Sequence, residues 1–130
     1  MNLNKITFFA ALVASLGVAL GAAGAHALQE TLLNHGTTEP WNTAVLYHLV
    51  HGVAAWATLS GPAKSSPLLI KSALAWLIGI LLFSGSLYVL ALGGPRWMGP
   101  VTPLGGLAFI AGWLMAARAG WRGNSSNTDD

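Results

Sequence analysis

The sequence predicts an all-α integral membrane protein built as a bundle of four antiparallel transmembrane helices. Three observations carry this. Hydrophobic residues make up 54% of the 130 residues and charged residues only 8%, against roughly 25% charged in a soluble domain. Four stretches lack Asp, Glu, Lys and Arg and approach the ~20 residues needed to cross hydrocarbon. The segments between them are rich in glycine, proline and small polar residues.

The uncharged stretches run about 6–28, 41–60, 72–92 and 101–117. Lipid offers no partner to a backbone N–H or C=O, so each must satisfy its own groups as a helix. The first carries Gly17 and Gly21 at GxxxG spacing, extended by Ala10, Ala14 and Ala25, and a second small face of Ser15, Ala19, Ala22 and His26. Two small faces predict two packed neighbours. Lys5, the apolar run and Ala25-His26-Ala27 also fit a secretory leader. The run exceeds the usual 7–15 residues of such a leader, so a retained helix is expected.

Asn34, Gly36, Thr37, Thr38 and Pro40 break the pattern before the second helix, with His35 in that polar loop. Pro40 falls in a first turn, where its missing N–H costs nothing. Gly61, Pro62, Ser65, Ser66 and Pro67 form the second connection; Gly93, Gly94, Pro95, Gly99 and Pro100 form the third. The third helix offers Ala75 and Gly79 for close packing, and the fourth Ala108, Gly112 and Ala116. Residues 1–122 thus form one transmembrane domain, and 123–130 a disordered polar tail.

Lys5, Lys64, Lys71, Arg118 and Arg122 fall on one side of a four-helix path; Arg96 alone falls on the other, beside Glu30 and Glu39. Positive charge marks the cytoplasmic side. Both termini are therefore expected in the cytoplasm, with the chain in a bacterial inner membrane. Trp56, Trp76, Trp113 and Trp121 are expected near the inner ends, and Trp41, Tyr88 and Trp97 near the outer ends, as interfacial anchors.

Polar side chains inside the spans gather in the outer half. At 1.5 Å per residue, Tyr47 and His48 lie ~10 Å deep and His51 ~15 Å. Ser84, Ser86 and Tyr88 lie ~6–12 Å from the outer surface. His26 closes the first helix there and Thr102 opens the fourth. His26, Tyr47, His48, His51, Ser84, Ser86, Tyr88 and Thr102 are thus the expected site. One reading is a hydrogen-bonded network that pins helix register. The alternative is a site that binds a small ligand or binds and conducts protons, since intramembrane ionisable groups are functional candidates. Haem or metal ligation is the weakest reading: His26 and His51 differ in depth and no carboxylate stands near to orient a ring. No metal and no cofactor are expected.

The chain has no cysteine, which excludes disulfides and thiolate chemistry. It shows no nucleophile–base pair, paired carboxylates or phosphate loop, and its net charge of +2 gives no ground for nucleic-acid binding. The expectation is a non-enzyme: a structural or accessory membrane component, partnered by the bilayer and by further copies or other membrane subunits.

Several blocks carry a resemblance. Gly21 through Leu28, Trp41 through His51, Phe83-Ser84-Gly85-Ser86-Leu87-Tyr88, and Thr102 through Phe109 with Gly112-Trp113 resemble the small bacterial inner-membrane proteins of the YgdD and YwdK type. That family is catalogued as a domain of unknown function, number four-two-three, with a eukaryotic small transmembrane relative. The resemblance implies a four-helix protein of the plasma membrane and supplies no activity. His26, His51, Ser84, Ser86, Tyr88 and Thr102 match its motifs; at the position of His48 the family also uses other polar residues.

Overall fold

A computed structural model describes residues 2–62 and 64–125. The described residues are helical throughout, with no strand among them. Helix α1 spans Leu3–Ala25. It begins earlier than the uncharged stretch because the Asn2 side chain accepts the Asn4 N–H at 3.0 Å, an N-cap that draws Lys5 into the first turn. It ends at Ala25, where the Leu28 N–H reaches back to the Ala23 carbonyl at 2.8 Å.

The expected loop after α1 contains a further helix. Helix α2, Gln29–His35, has Glu30 in its first turn, where negative charge is favourable, and buries Leu32. Gly36 closes it with φ 66°, and the Thr37 N–H bonds the Leu32 carbonyl at 2.9 Å. Glycine adopts this left-handed closure without steric cost. His35 is therefore exposed but not in a loop. It ends α2, and its Nδ1 lies 3.3 Å from the Ala91 carbonyl, which also accepts the Thr37 hydroxyl at 2.7 Å.

Helix α3 spans Thr38–Ser60, with Pro40 in its first turn. Helix α4, Pro67–Gly79, opens on its proline and includes Lys71, whose stem can run along the helix while the charge reaches the interface. A π-helical turn at Ile80–Ser84, closed by the Gly85 N–H on the Ile80 carbonyl, leads into α5, Gly85–Ala91. Gly93, with φ 86°, turns the chain out of α5. A 3₁₀ turn at Arg96–Met98 precedes α6, Val101–Ser125. Helix α6 continues past Arg118, because a cation near a helix C-terminus is favourable. Of the expected disordered tail, residues 123–125 are the end of α6, and 126–130 lie outside the described residues.

Among the described residues, three helical stretches are long and apolar enough to cross a membrane: Leu3–Ala25, Pro67–Ala91 and Arg96–Trp121. Helix α3 matches α1 in length but carries Glu39, Asn42, Thr43, His48, His51 and Thr58, so its own composition does not mark it as a span. Phe8, Phe9, Leu12 and Leu16 of α1 and Leu104, Leu107, Ile110 and Leu114 of α6 are exposed. Such continuous apolar faces suit a lipid solvent and not water.

Helix α1 packs on α3 in opposite order of residue number. Thr7 meets the Leu59 carbonyl, Ala14 meets Gly52, Gly17 meets His48 and Leu49, and Gly24 meets Trp41. The run α4–α5 meets α6 the same way: Trp76 on Gly112, Gly79 on Phe109, Phe83 on Gly105, Ser86 on Thr102. Fully buried Ala10, Ala44, Ala55, Ala73 and Ala91 bring the backbones close, which supplies packing where lipid removes the hydrophobic drive. The second small face of α1 is not used. Ser15, Ala19, Ala22 and His26 are exposed, because α1 has α3 as its one long partner.

Two of the expected interfacial anchors are interior residues. Trp41 and Trp76 are 1% and 2% exposed. Each ring fills a slot opposite a glycine, Gly24 for Trp41 and Gly112 for Trp76, where a Cβ would collide with the indole. Trp41 Nε1 donates to the Leu20 carbonyl at 3.1 Å; the Trp76 N–H is buried without a partner.

Candidate functional site

The site residues come from α3, the π-turn, α5 and the start of α6. Positions 44, 48, 51, 52, 55 and 59 form the buried stripe of α3, a helical period of three and four. His48 and His51 both lie on it, but successive residues turn by about 100°, so the two rings point about 60° apart. That angle sends them to different neighbours.

His48 faces α1 and α5. Its Nε2 lies 2.8 Å from the Val13 carbonyl and its Nδ1 lies 3.1 Å from the Tyr88 hydroxyl. A carbonyl only accepts, so the ring proton sits on Nε2 and Tyr88 donates to Nδ1. Tyr88 also tilts against Trp41 with ring centroids 4.7 Å apart. Three helical segments thus meet at one imidazole.

His51 faces α6. Trp113 Nε1 donates to its Nε2 at 3.1 Å, and its Nδ1 lies 2.8 Å from the Tyr47 carbonyl. An indole N–H only donates, so the His51 proton sits on Nδ1. The ring stacks on Phe109 with centroids 3.6 Å apart and planes 12° from parallel. The tautomers of His48 and His51 are therefore opposite.

The hydroxyls form separate links. Ser84 donates to the Ala44 carbonyl at 2.8 Å, joining the π-turn to α3. Ser86 shares a 2.6 Å bond with Thr102 and donates to the Phe83 carbonyl at 2.9 Å, joining α5 to α6. Neither serine is hydrogen-bonded to a histidine; their partners are the Ala44 and Phe83 carbonyls and the Thr102 hydroxyl.

One expected member stands apart. His26 is exposed beyond the last residue of α1 and joins none of these pairs. Tyr47 is 40% exposed but stays with His51: the two rings stack at 5.9 Å with planes 15° apart, and Tyr47 also packs against Phe83 and Phe109 at 4.7 and 5.9 Å. Among the described residues no three His, Asp or Glu side chains converge as metal ligands.

The expected single cluster is thus a set of links on different helix interfaces. Comparison with known proteins places the chain. The family model described as "Protein of unknown function (DUF423)" matches residues 20–106. The chain belongs to the DUF423 family. The UPF0382 membrane protein YwdK of Bacillus subtilis is 39% identical over 107 residues, covering 81% of this chain and 86% of its own. The UPF0382 membrane protein SH2409 of Staphylococcus haemolyticus is 41% identical over 107 residues, 81% of this chain and 85% of its own. A UPF0382 membrane protein of Haemophilus influenzae is 36% identical over 123 residues, 94% and 98% of the two chains. No solved structure matches.

These relatives and the apolar helices make the chain a membrane protein of unknown function. The segment matched by the DUF423 model holds all eight expected site residues. Phe109 and Trp113, which hold His51, lie beyond it. Sequence reasoning assigned Trp113 to the interface. The available signal was its place on α6 beside Gly112, where a small residue lets the neighbouring helix come near. The carbonyls of Val13, Tyr47 and Ala44 carried no signal, because every residue has one.

Proposed function

We propose that the protein is a non-catalytic, multi-pass component of the bacterial inner membrane. In this reading the chain crosses four times as antiparallel helices, with both termini cytoplasmic. Its intramembrane polar side chains fix the register of the helices, and the bundle serves as a structural or accessory part of a homo-oligomer or larger membrane complex. Helix α3 is the fourth crossing. It equals α1 in length and follows it from Thr7–Leu59 to Gly24–Trp41. Its histidines face neighbouring helices, where their polarity is satisfied and not lipid-exposed.

The observation that carries the reading is the double occupancy of both imidazoles. Each ring nitrogen of His48 and His51 has its own partner: Val13 of α1 and Tyr88 of α5 for His48, and Trp113 of α6 and the Tyr47 carbonyl of α3 itself for His51. Both bonded chains end on main-chain carbonyls, of Val13 and Tyr47, which take no proton onward. A relay needs a group that accepts on one side and releases on the other, and this pairing leaves none.

Proton flux into liposomes carrying the purified protein tests this. The expected flux under an imposed potential equals that of protein-free liposomes. A flux above that level, abolished by His48→Phe, overturns the structural reading in favour of proton conduction.

A further inference from the structure

Helix α1 and the run α4–α5 both pack on α3, but they are not among the helix pairs in extended contact with one another. The space between them is a groove of about 750 Å³. Phe9 and Leu16 stand on one wall and Leu77 and Leu81 on the other, with His48 and Tyr88 also in its lining. One charged residue lines it, Lys5, in the first turn of α1.

We propose that this groove holds an acyl chain of an anionic phospholipid, with the headgroup at Lys5. The wall chemistry selects the tail. The polar groups in the lining, His48 and Tyr88, are turned to one another and to the Val13 carbonyl, so the occupant needs no polar atom along its length. The ammonium at one end selects the head, because an exposed lysine near the membrane surface attracts anionic lipid.

Size separates this occupant from a helix of a second copy. From Lys5 to Leu20 the groove follows α1 for about 22 Å at 1.5 Å per residue. A volume of about 750 Å³ over that length gives a mean section of about 34 Å². A helix 10–12 Å across needs roughly 80 Å² or more, so a helix rests at most on the open mouth, whereas a single acyl chain lies within the walls. The length exceeds the ~15 Å of one leaflet's hydrocarbon, so a chain anchored at Lys5 stays within the groove.

Gly85 lies in the groove wall, and a Cβ there meets nothing nearer than the Ile80 carbonyl at 3.9 Å. Gly85→Leu therefore fills the groove without a backbone collision. Native mass spectrometry of the full-length protein, with phosphatidylglycerol or phosphatidylcholine of identical chains added in detergent, tests the proposal. The expected result is about fivefold more phosphatidylglycerol adduct than phosphatidylcholine adduct, the effect of one lysine at the surface. Gly85→Leu should lower adducts of both lipids. Lys5→Gln, at an exposed position that does not disturb the fold, should bring phosphatidylglycerol down to the phosphatidylcholine level. Equal adducts in the wild type overturn the proposal. So does a preference that survives Lys5→Gln, or a folded Gly85→Leu protein that binds both lipids as the wild type does.

Discussion

His48 and His51 stand three residues apart on α3 and hold opposite tautomers: Nε2–H in His48, set by the Val13 carbonyl, and Nδ1–H in His51, set by the Trp113 indole. Each tautomer follows from a partner that can only accept or only donate. Nitrogen-15 spectra of the ring-labelled protein in detergent should therefore give two different patterns, with the protonated nitrogen at ε2 in one ring and at δ1 in the other. Trp113→Phe should shift the resonance of the unprotonated His51 Nε2, which loses its donor, and leave the Nδ1–H held by the Tyr47 carbonyl and the His48 pattern unchanged. A common tautomer in both rings would contradict the pairing.

Adjacent glycines at the start of α6 should respond differently to the same substitution. A Cβ on Gly105 would lie 2.7 Å from Phe83 Cα and Cβ, with the Phe83 amide nitrogen closer still; a Cβ on Gly106 would meet Phe83 Cδ2 at 3.9 Å, an ordinary contact. The first clash is with backbone, which cannot rotate away. Gly105→Ala should cost about 1–3 kcal/mol as overpacking and lower the unfolding temperature in detergent. Gly106→Ala should leave it unchanged or raise it slightly, since alanine favours helix. Equal effects would mean that α6 does not approach the π-turn as described.

Helix α3 decides the number of crossings. Four crossings put both termini on one side, and three put them on opposite sides. A fluorescent protein fused after Asp130 should fold and fluoresce in the cytoplasm, and alkaline phosphatase at the same place should stay inactive. The reverse result would place α3 outside the span and end the four-crossing proposal.

The helices were legible because charge is expensive in hydrocarbon and the uncharged stretches are long. The ends were not, because a charge does not stop a helix. Asn2 caps α1 ahead of Lys5, and α6 runs on through Arg118. Helix α2 was hidden by its seven residues, too short to display a period. The π-turn at Ile80–Ser84 has no composition that separates it from an α-helix. Each site residue could be named from its polarity in an apolar run, but its partner could not. His48 and His51 share the buried stripe of α3, yet rotation about the helix sends them to different neighbours. Half of each imidazole's pairing is a main-chain carbonyl, which no side chain announces. Trp41 and Trp76 were misassigned because an aromatic ring suits an interface and a glycine slot equally well, and the slot depends on which helix lies opposite.

The central claim is that the intramembrane polar residues are fixed pairs joining helices. A double-mutant cycle on His51 and Trp113 tests it most directly, with unfolding free energies of the wild type, His51→Phe, Trp113→Phe and the double variant measured in one detergent. The bond between α3 and α6 predicts a coupling of about 0.6 kcal/mol, the average for such interhelical contacts, with roughly 1.7 kcal/mol as the upper range. Strictly additive losses, with no coupling beyond error, would contradict it.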